Sequence, residues 1–134
     1  MALLITDPID ILLDSTGDID LTAGDLQFSR GLPGVAQGCR IAVQLFRGEW
    51  FVDLDAGVPW MPNDTVSTEQ AILGQRFNET KARVAIRDAL LAVPGVLGLA
   101  QLLIAFDTST RAMSVTWRAR TVFGDTEPDT LEQT

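Results

Sequence analysis

The spacing of apolar positions changes several times along the chain, and each change marks an element. Residues 9–13, 19–21 and 26–28 are short apolar segments separated by Ser15-Thr16-Gly17-Asp18 and Thr22-Ala23-Gly24-Asp25. Both separators are turn chemistry: Gly tolerates positive φ, while Asp, Ser and Thr side chains bond nearby backbone. This pattern predicts a small acidic β-meander. Gly31-Leu32-Pro33-Gly34 then opens a helix in which Val35, Cys39, Ala42, Val43 and Phe46 share one face, with Gly48 as a stop. Ser67-Thr68-Glu69-Gln70 has capping-box spacing and predicts a short second helix toward Arg76. Asn78 caps a third helix over residues 79–93, with Ala82, Ala85, Ile86, Ala89, Leu90 and Val93 as its apolar stripe. Pro94-Gly95 ends it.

The period then falls to two. Residues 97–106 are almost wholly apolar, which predicts a central strand covered on both faces. Asp107-Thr108-Ser109-Thr110 reads as a turn. Beyond it Met113, Val115, Trp117 and Ala119 point one way, and Ser114, Thr116, Arg118 and Arg120 the other. From Gly124 the chain is acidic, carries Pro128 and has no period, so this stretch is expected to be mobile unless a partner orders it. The sum is an α+β fold. Two main helices pack on one face of a mixed or antiparallel sheet, with an N-terminal acidic β-meander and a C-terminal β-hairpin. Residues 1–123 are expected to form one domain and residues 124–134 an acidic tail.

Composition narrows the function. With 46% hydrophobic and 21% charged residues, the chain is built to fold rather than to stay disordered. Net charge is −8, unevenly spread: residues 1–29 hold six Asp and no base, and residues 121–134 hold four acids and no base. All ten basic residues lie between Arg30 and Arg120. Acidic ends are poorly suited to phosphates, so no nucleic-acid partner is expected, whereas a basic protein surface would be steered toward them. Residues 89–106 carry no charge over eighteen positions, close to a membrane-spanning length. Pro94-Gly95, Gly98 and Gln101 interrupt them, so the reading is helix, turn and strand, with no membrane span.

The chain has one cysteine, Cys39, no His and no Tyr. An intrachain disulfide, the usual zinc and iron–sulfur ligand sets and the His-based triads are therefore out of reach, and neither metal nor cofactor is expected. Asp14, Asp18 and Asp20 lack the spacing and the closing Glu of a calcium loop and read as turn residues. Paired carboxylates are the one catalytic option. Glu49 and Asp53 flank Trp50, and a glycan hydrolase would hold such a pair about 5 Å or about 6.5–9.5 Å apart. Acids beside turn formers more commonly cap backbone N–H groups, so the expectation is no enzyme, with a small carboxylate-dependent hydrolase as the alternative.

Two features suit protein contacts instead. The run from Phe46 to Trp60 gathers two of the three tryptophans, acids, glycines and a proline, as in a rigid loop that displays aromatic surface or plugs it into a partner. Arg118 and Arg120 lie opposite Trp117 on a strand expected at the sheet edge. Positive side chains there discourage self-pairing yet leave the edge able to take up a foreign strand.

At Gly48-Glu49-Trp50-Phe51, Asp53 and Gly57-Val58-Pro59-Trp60 the chain resembles the baseplate wedge and tail-sheath initiator proteins of contractile phage tails. Related subunits occur in type VI secretion and contractile bacteriocin baseplates. The Thr16-Gly17-Asp18 turn, the Gln37-containing helix and Val93-Pro94-Gly95-Val96 fit the same pattern, and the similarity runs from Gly17 to Phe123. Many members carry Arg soon after the residue matching Glu49, where this chain has Trp50 and Phe51. The resemblance implies a structural virion component of the tail baseplate, assembled in the host cytoplasm and present in six copies around the tail tube. It implies tail sheath and baseplate wedge proteins as partners, with tail tube or hub proteins as further neighbours. Glu49, Trp50, Asp53 and Trp60 would meet the wedge. Residues 113–123, with Arg118, Arg120 and Val122, would template sheath polymerisation by β-strand augmentation. A soluble protein-binding regulator on the same fold is the other alternative.

Overall fold

The computed structural model describes residues 10–21, 24 and 28–133. Ile9, Thr22, Ala23 and residues 25–27, which the sequence assigned to the meander, lie outside the described residues. The rest of that region is a small antiparallel unit. β1 (Asp10–Ile11) pairs with β2 (Phe28–Ser29), and a bridge joins Leu13 to Ile19. Asp14 works as a turn residue: its carboxylate accepts the Thr16 hydroxyl at 2.6 Å and the N–H groups of Thr16 and Asp18 at 2.9 and 3.1 Å. Those bonds, the Thr16 hydroxyl first, hold its carboxyl below the ordinary range.

Helices α1 (Gly31–Gln44) and α2 (Glu79–Leu91) follow the predicted faces but stop short of Phe46 and Val93, which lie beyond their ends. Val35, Cys39 and Val43 of α1 are buried against Ala82, Ile86, Ala89 and Leu90 of α2 and against the inner side chains of the sheet. Asn78 caps α2 as expected, its side chain accepting the Lys81 N–H at 3.2 Å. The capping box at Ser67 also forms: the Gln70 side chain accepts the Ser67 N–H at 2.9 Å, and the Ser67 hydroxyl accepts the Gln70 N–H at 3.3 Å. No helix follows it. The N–H groups of Ile72 and Leu73, which a helix would use internally, donate instead to the carbonyls of Pro59 and Trp60, both at 2.9 Å.

The sheet contains β3 (Val96–Phe106), β4 (Met113–Thr121), β5 (Gly124–Asp125) and β6 (Asp129–Gln133), all paired antiparallel. Its order corrects two expectations. β4 is central, with β3 on one side and β5 and β6 on the other, so the strand expected at the edge is interior. β3, expected in the centre, pairs with β4 alone among the described strands. Side-chain pattern reports which faces of a strand are covered; pairing belongs to the backbone, which the pattern does not read. β3 is apolar because Leu99, Leu102, Ile104 and Phe106 pack on the core, while Leu97 and Leu103 remain more than half exposed.

The acidic stretch from Gly124 is the third departure, since β5 and β6 lie within it. Thr126 fixes the chain between them. It is almost fully buried; its N–H donates to the Ala119 carbonyl at 2.9 Å, and its hydroxyl accepts the Ala119 N–H at 3.0 Å. Composition hides this anchor, which depends on one hydroxyl meeting one strand.

Candidate functional site

α1 ends where its chain turns into a short parallel bridge between Phe46 and Val58. The Arg47 N–H donates to Val58 O at 2.8 Å, and the Val58 N–H to Leu45 O at 2.9 Å. Gly57 is required at this crossing. Its φ is 91°, and a Cβ would collide with the Leu45 carbonyl. Trp60 locks the base of the loop. It is fully buried, and its indole N–H donates to Val43 O at 2.7 Å. Asn63 closes the other side, donating to Arg47 O at 2.6 Å and accepting the N–H groups of Thr65 and Val66.

On this fixed base the loop tip points outward. Phe51 is 88% exposed, and Trp50, Val52 and Leu54 are each about half exposed or more. Glu49, Asp53 and Asp55 fringe them and are also exposed. Four large apolar side chains are thus exposed within five positions, more than the scattered single exposures usual on a protein surface. Trp60, read from sequence as part of that surface, serves instead as its buried support. The two candidate catalytic acids do not build a site. Acid–base pairs of the glycosidase kind stand against apolar walls that exclude water, whereas Glu49 and Asp53 face solvent. Asp53 accepts the Asp55 N–H at 3.0 Å, the work of a turn carboxylate. Among the described residues no group of three or more His, Cys, Asp or Glu could hold a metal ion. Cys39 is buried, and burial, then the charge of Asp129, pushes its thiol up to about 11.

The second surface is the sheet. Arg118 and Arg120 are exposed on one face of β4, and Val122 is half-buried just beyond it. None of them lines an open rim. The Arg118 Nε donates to Thr126 O at 3.0 Å, Arg120 pairs with Asp125, and the Val122 N–H donates to Gly95 O at 3.1 Å. The rim of β4 that faces away from β3 is covered by β5 and then by β6 in continuous register, from Trp117 opposite Asp129 to Met113 opposite Gln133.

A family model described as the contractile injection system sheath initiator matches residues 9–124. The chain belongs to this family. No curated protein matches it. Sheath initiators are structural components of contractile injection systems, and this chain accordingly has a sheath-related role in such an assembly. No helix among the described residues is long and apolar enough to cross a membrane.

Within the sheath initiator fold, several side-chain contacts that sequence reasoning did not anticipate tie the amino- and carboxyl-terminal segments to α1. The Gln37 amide is bonded at both ends: its Oε1 accepts the Leu13 N–H at 3.0 Å, and its Nε2 donates to Ile11 O at 2.8 Å. One helical turn on, Arg40 donates to the Asp129 carboxylate of β6 at 2.6 Å. Gln37 had a weak signal, since it faces away from the apolar stripe of its helix. Arg40 and Asp129 had none: 89 positions separate them.

Proposed function

We propose that this chain is the baseplate subunit that joins wedge proteins to the first sheath ring and starts sheath polymerisation by accepting an extended arm of the sheath protein as an added strand. The observation that carries this reading is the ladder between β4 and β6. A five-residue acidic segment lies in full antiparallel register on the β4 rim, with Leu131 as its partly buried apolar anchor on the core. Such a ladder displays the recognition mode in miniature: backbone pairing supplies affinity, and alternate side chains supply specificity.

The loop serves the other partner. Trp50, Phe51, Val52 and Leu54 fill an apolar recess on a wedge protein, and Glu49, Asp53 and Asp55 meet basic residues around it. Arg118 and Arg120 flank the arm, Val122 supports the turn below it, and Trp60 keeps the loop rigid. The subunit acts in six copies around the tail tube of a virion, touches no nucleic acid or membrane, and has no catalytic role. Repetition around a ring multiplies weak strand contacts into a stable first layer.

The test mixes purified sheath protein with this chain and follows polymer growth by light scattering and electron microscopy. Sheath should form sooner, with polymers starting at this subunit. Sheath growth indifferent to the chain would refute the templating role.

A further inference from the structure

We infer that β6 is a displaceable occupant of the strand-accepting rim, so that the subunit is closed before the sheath arm arrives and opens by exchanging β6 for it. This rests on the templating reading above and adds its regulation.

The region beyond Thr121 divides sharply at Glu127. Up to Thr126 the chain is anchored by buried groups: Thr126 is 3% exposed and held by two hydrogen bonds to Ala119, and the Thr121 hydroxyl donates to Gly124 O at 2.6 Å. Beyond it, Pro128 cannot donate to a ladder, and Glu127 and Pro128 stand exposed. A cleft of about 300 Å³ lies under this joint, between Leu32, Pro33 and Ala36 of α1 and Trp117. The joint therefore borders an open cleft on its inner side rather than packed side chains.

The ties that hold β6 itself are also exchangeable. Its exposure alternates between half-buried and exposed, with no fully buried position. Leu131 is its apolar anchor, the Thr116 and Thr130 hydroxyls meet at 2.9 Å in the open, and the Arg40–Asp129 ion pair is about 40% exposed. Exposed pairs of this kind contribute little net stability. An incoming segment can reproduce these contacts, provided it forms a strand, places an aliphatic side chain at the Leu131 position and a hydroxyl opposite Thr116, and carries a carboxylate toward Arg40. β6 also lies beyond residue 124, outside the family-matched region, whereas β4 lies wholly within it and β5 begins at its last residue. The rim thus belongs to the family's sheet, and its cover is additional to the match.

A covered rim has a physical purpose. An open strand edge pairs indiscriminately with other chains, and native proteins cover or charge such edges. β6 replaces the bare β4 rim with a short acidic edge, whose like charges discourage pairing between free copies until a better-fitting arm competes it off.

The experiment uses the full chain with Thr116→Cys and Thr130→Cys, residues directly opposite in the ladder. Oxidation should lock β6 onto β4 within one molecule. Sheath nucleation should then fall by roughly tenfold or more and recover on reduction, because the competent population is removed and restored. A locked chain that nucleates as fast as the unmodified protein would overturn the inference, as would a cross-link that joins two copies. If the unmodified, reduced and oxidised proteins all leave sheath growth unchanged, the templating reading itself fails and takes this one with it. Hydrogen exchange gives a second readout on the unmodified chain. On adding sheath protein, β6 amides should lose protection while β4 amides keep theirs; protected β6 amides in the bound state would also overturn the exchange.

Discussion

Trp50 and Trp60 sit in one loop and meet opposite fates. Trp60 has no exposed surface, donates its indole N–H to α1, and is surrounded by the core. Trp50 is about half exposed beside Phe51, which is nearly bare. The base of the loop is thus built like a protein interior and its tip like an interface. The difference separates two uses of aromatics: burying Trp60 stabilises the fold, whereas Phe51 leaves apolar surface in water, the surface proposed above to meet the wedge.

The largest way to break this contrast is Trp60→Ala. Losing a buried indole and its hydrogen bond should destabilise the protein by about 3–5 kcal/mol, read by denaturant unfolding. A loss of less than about 1 kcal/mol would show that the loop base does not depend on it. A smaller effect is expected from Gly57→Ala. The positive φ and the nearby Leu45 carbonyl should make it cost about 1–3 kcal/mol, with wedge binding weakened as the tip loses its fixed base. The smallest change in stability belongs to Trp50→Ser with Phe51→Ser. Unfolding should shift by no more than about 0.5 kcal/mol, while capture of wedge protein in a pull-down should disappear. If that double variant unfolds easily, the tip is structural and the contrast between tip and base is lost.

A related lesson comes from the sheet. The alternation over residues 113–120 correctly marked which β4 side chains enter the core, because burial of alternate positions is written into residue type. It carried no information about neighbours. The expected edge strand became the centre once β6 paired with it, and the expected central strand β3 became a flank. The Ser67 capping box shows the same limit at shorter range. Its local bonds formed as the residues dictate, but Pro59 and Trp60 captured the next N–H groups and no helix grew.

From the order of its residues alone, this protein's two helices, their buried faces, the inward side of β4 and the exclusion of histidine- and cysteine-based chemistry could be read, since each depends on side-chain type at local spacing. The resemblance around Gly48 and Trp60 likewise pointed to the family that the match over residues 9–124 establishes. Tertiary structure alone decided which strand lies at the rim, that Trp60 supports the loop rather than faces a partner, and that an acidic stretch without period becomes β6. Those outcomes hang on backbone pairing and on contacts between distant positions, Arg40 with Asp129 and Thr126 with Ala119, and such contacts leave no local trace in a chain.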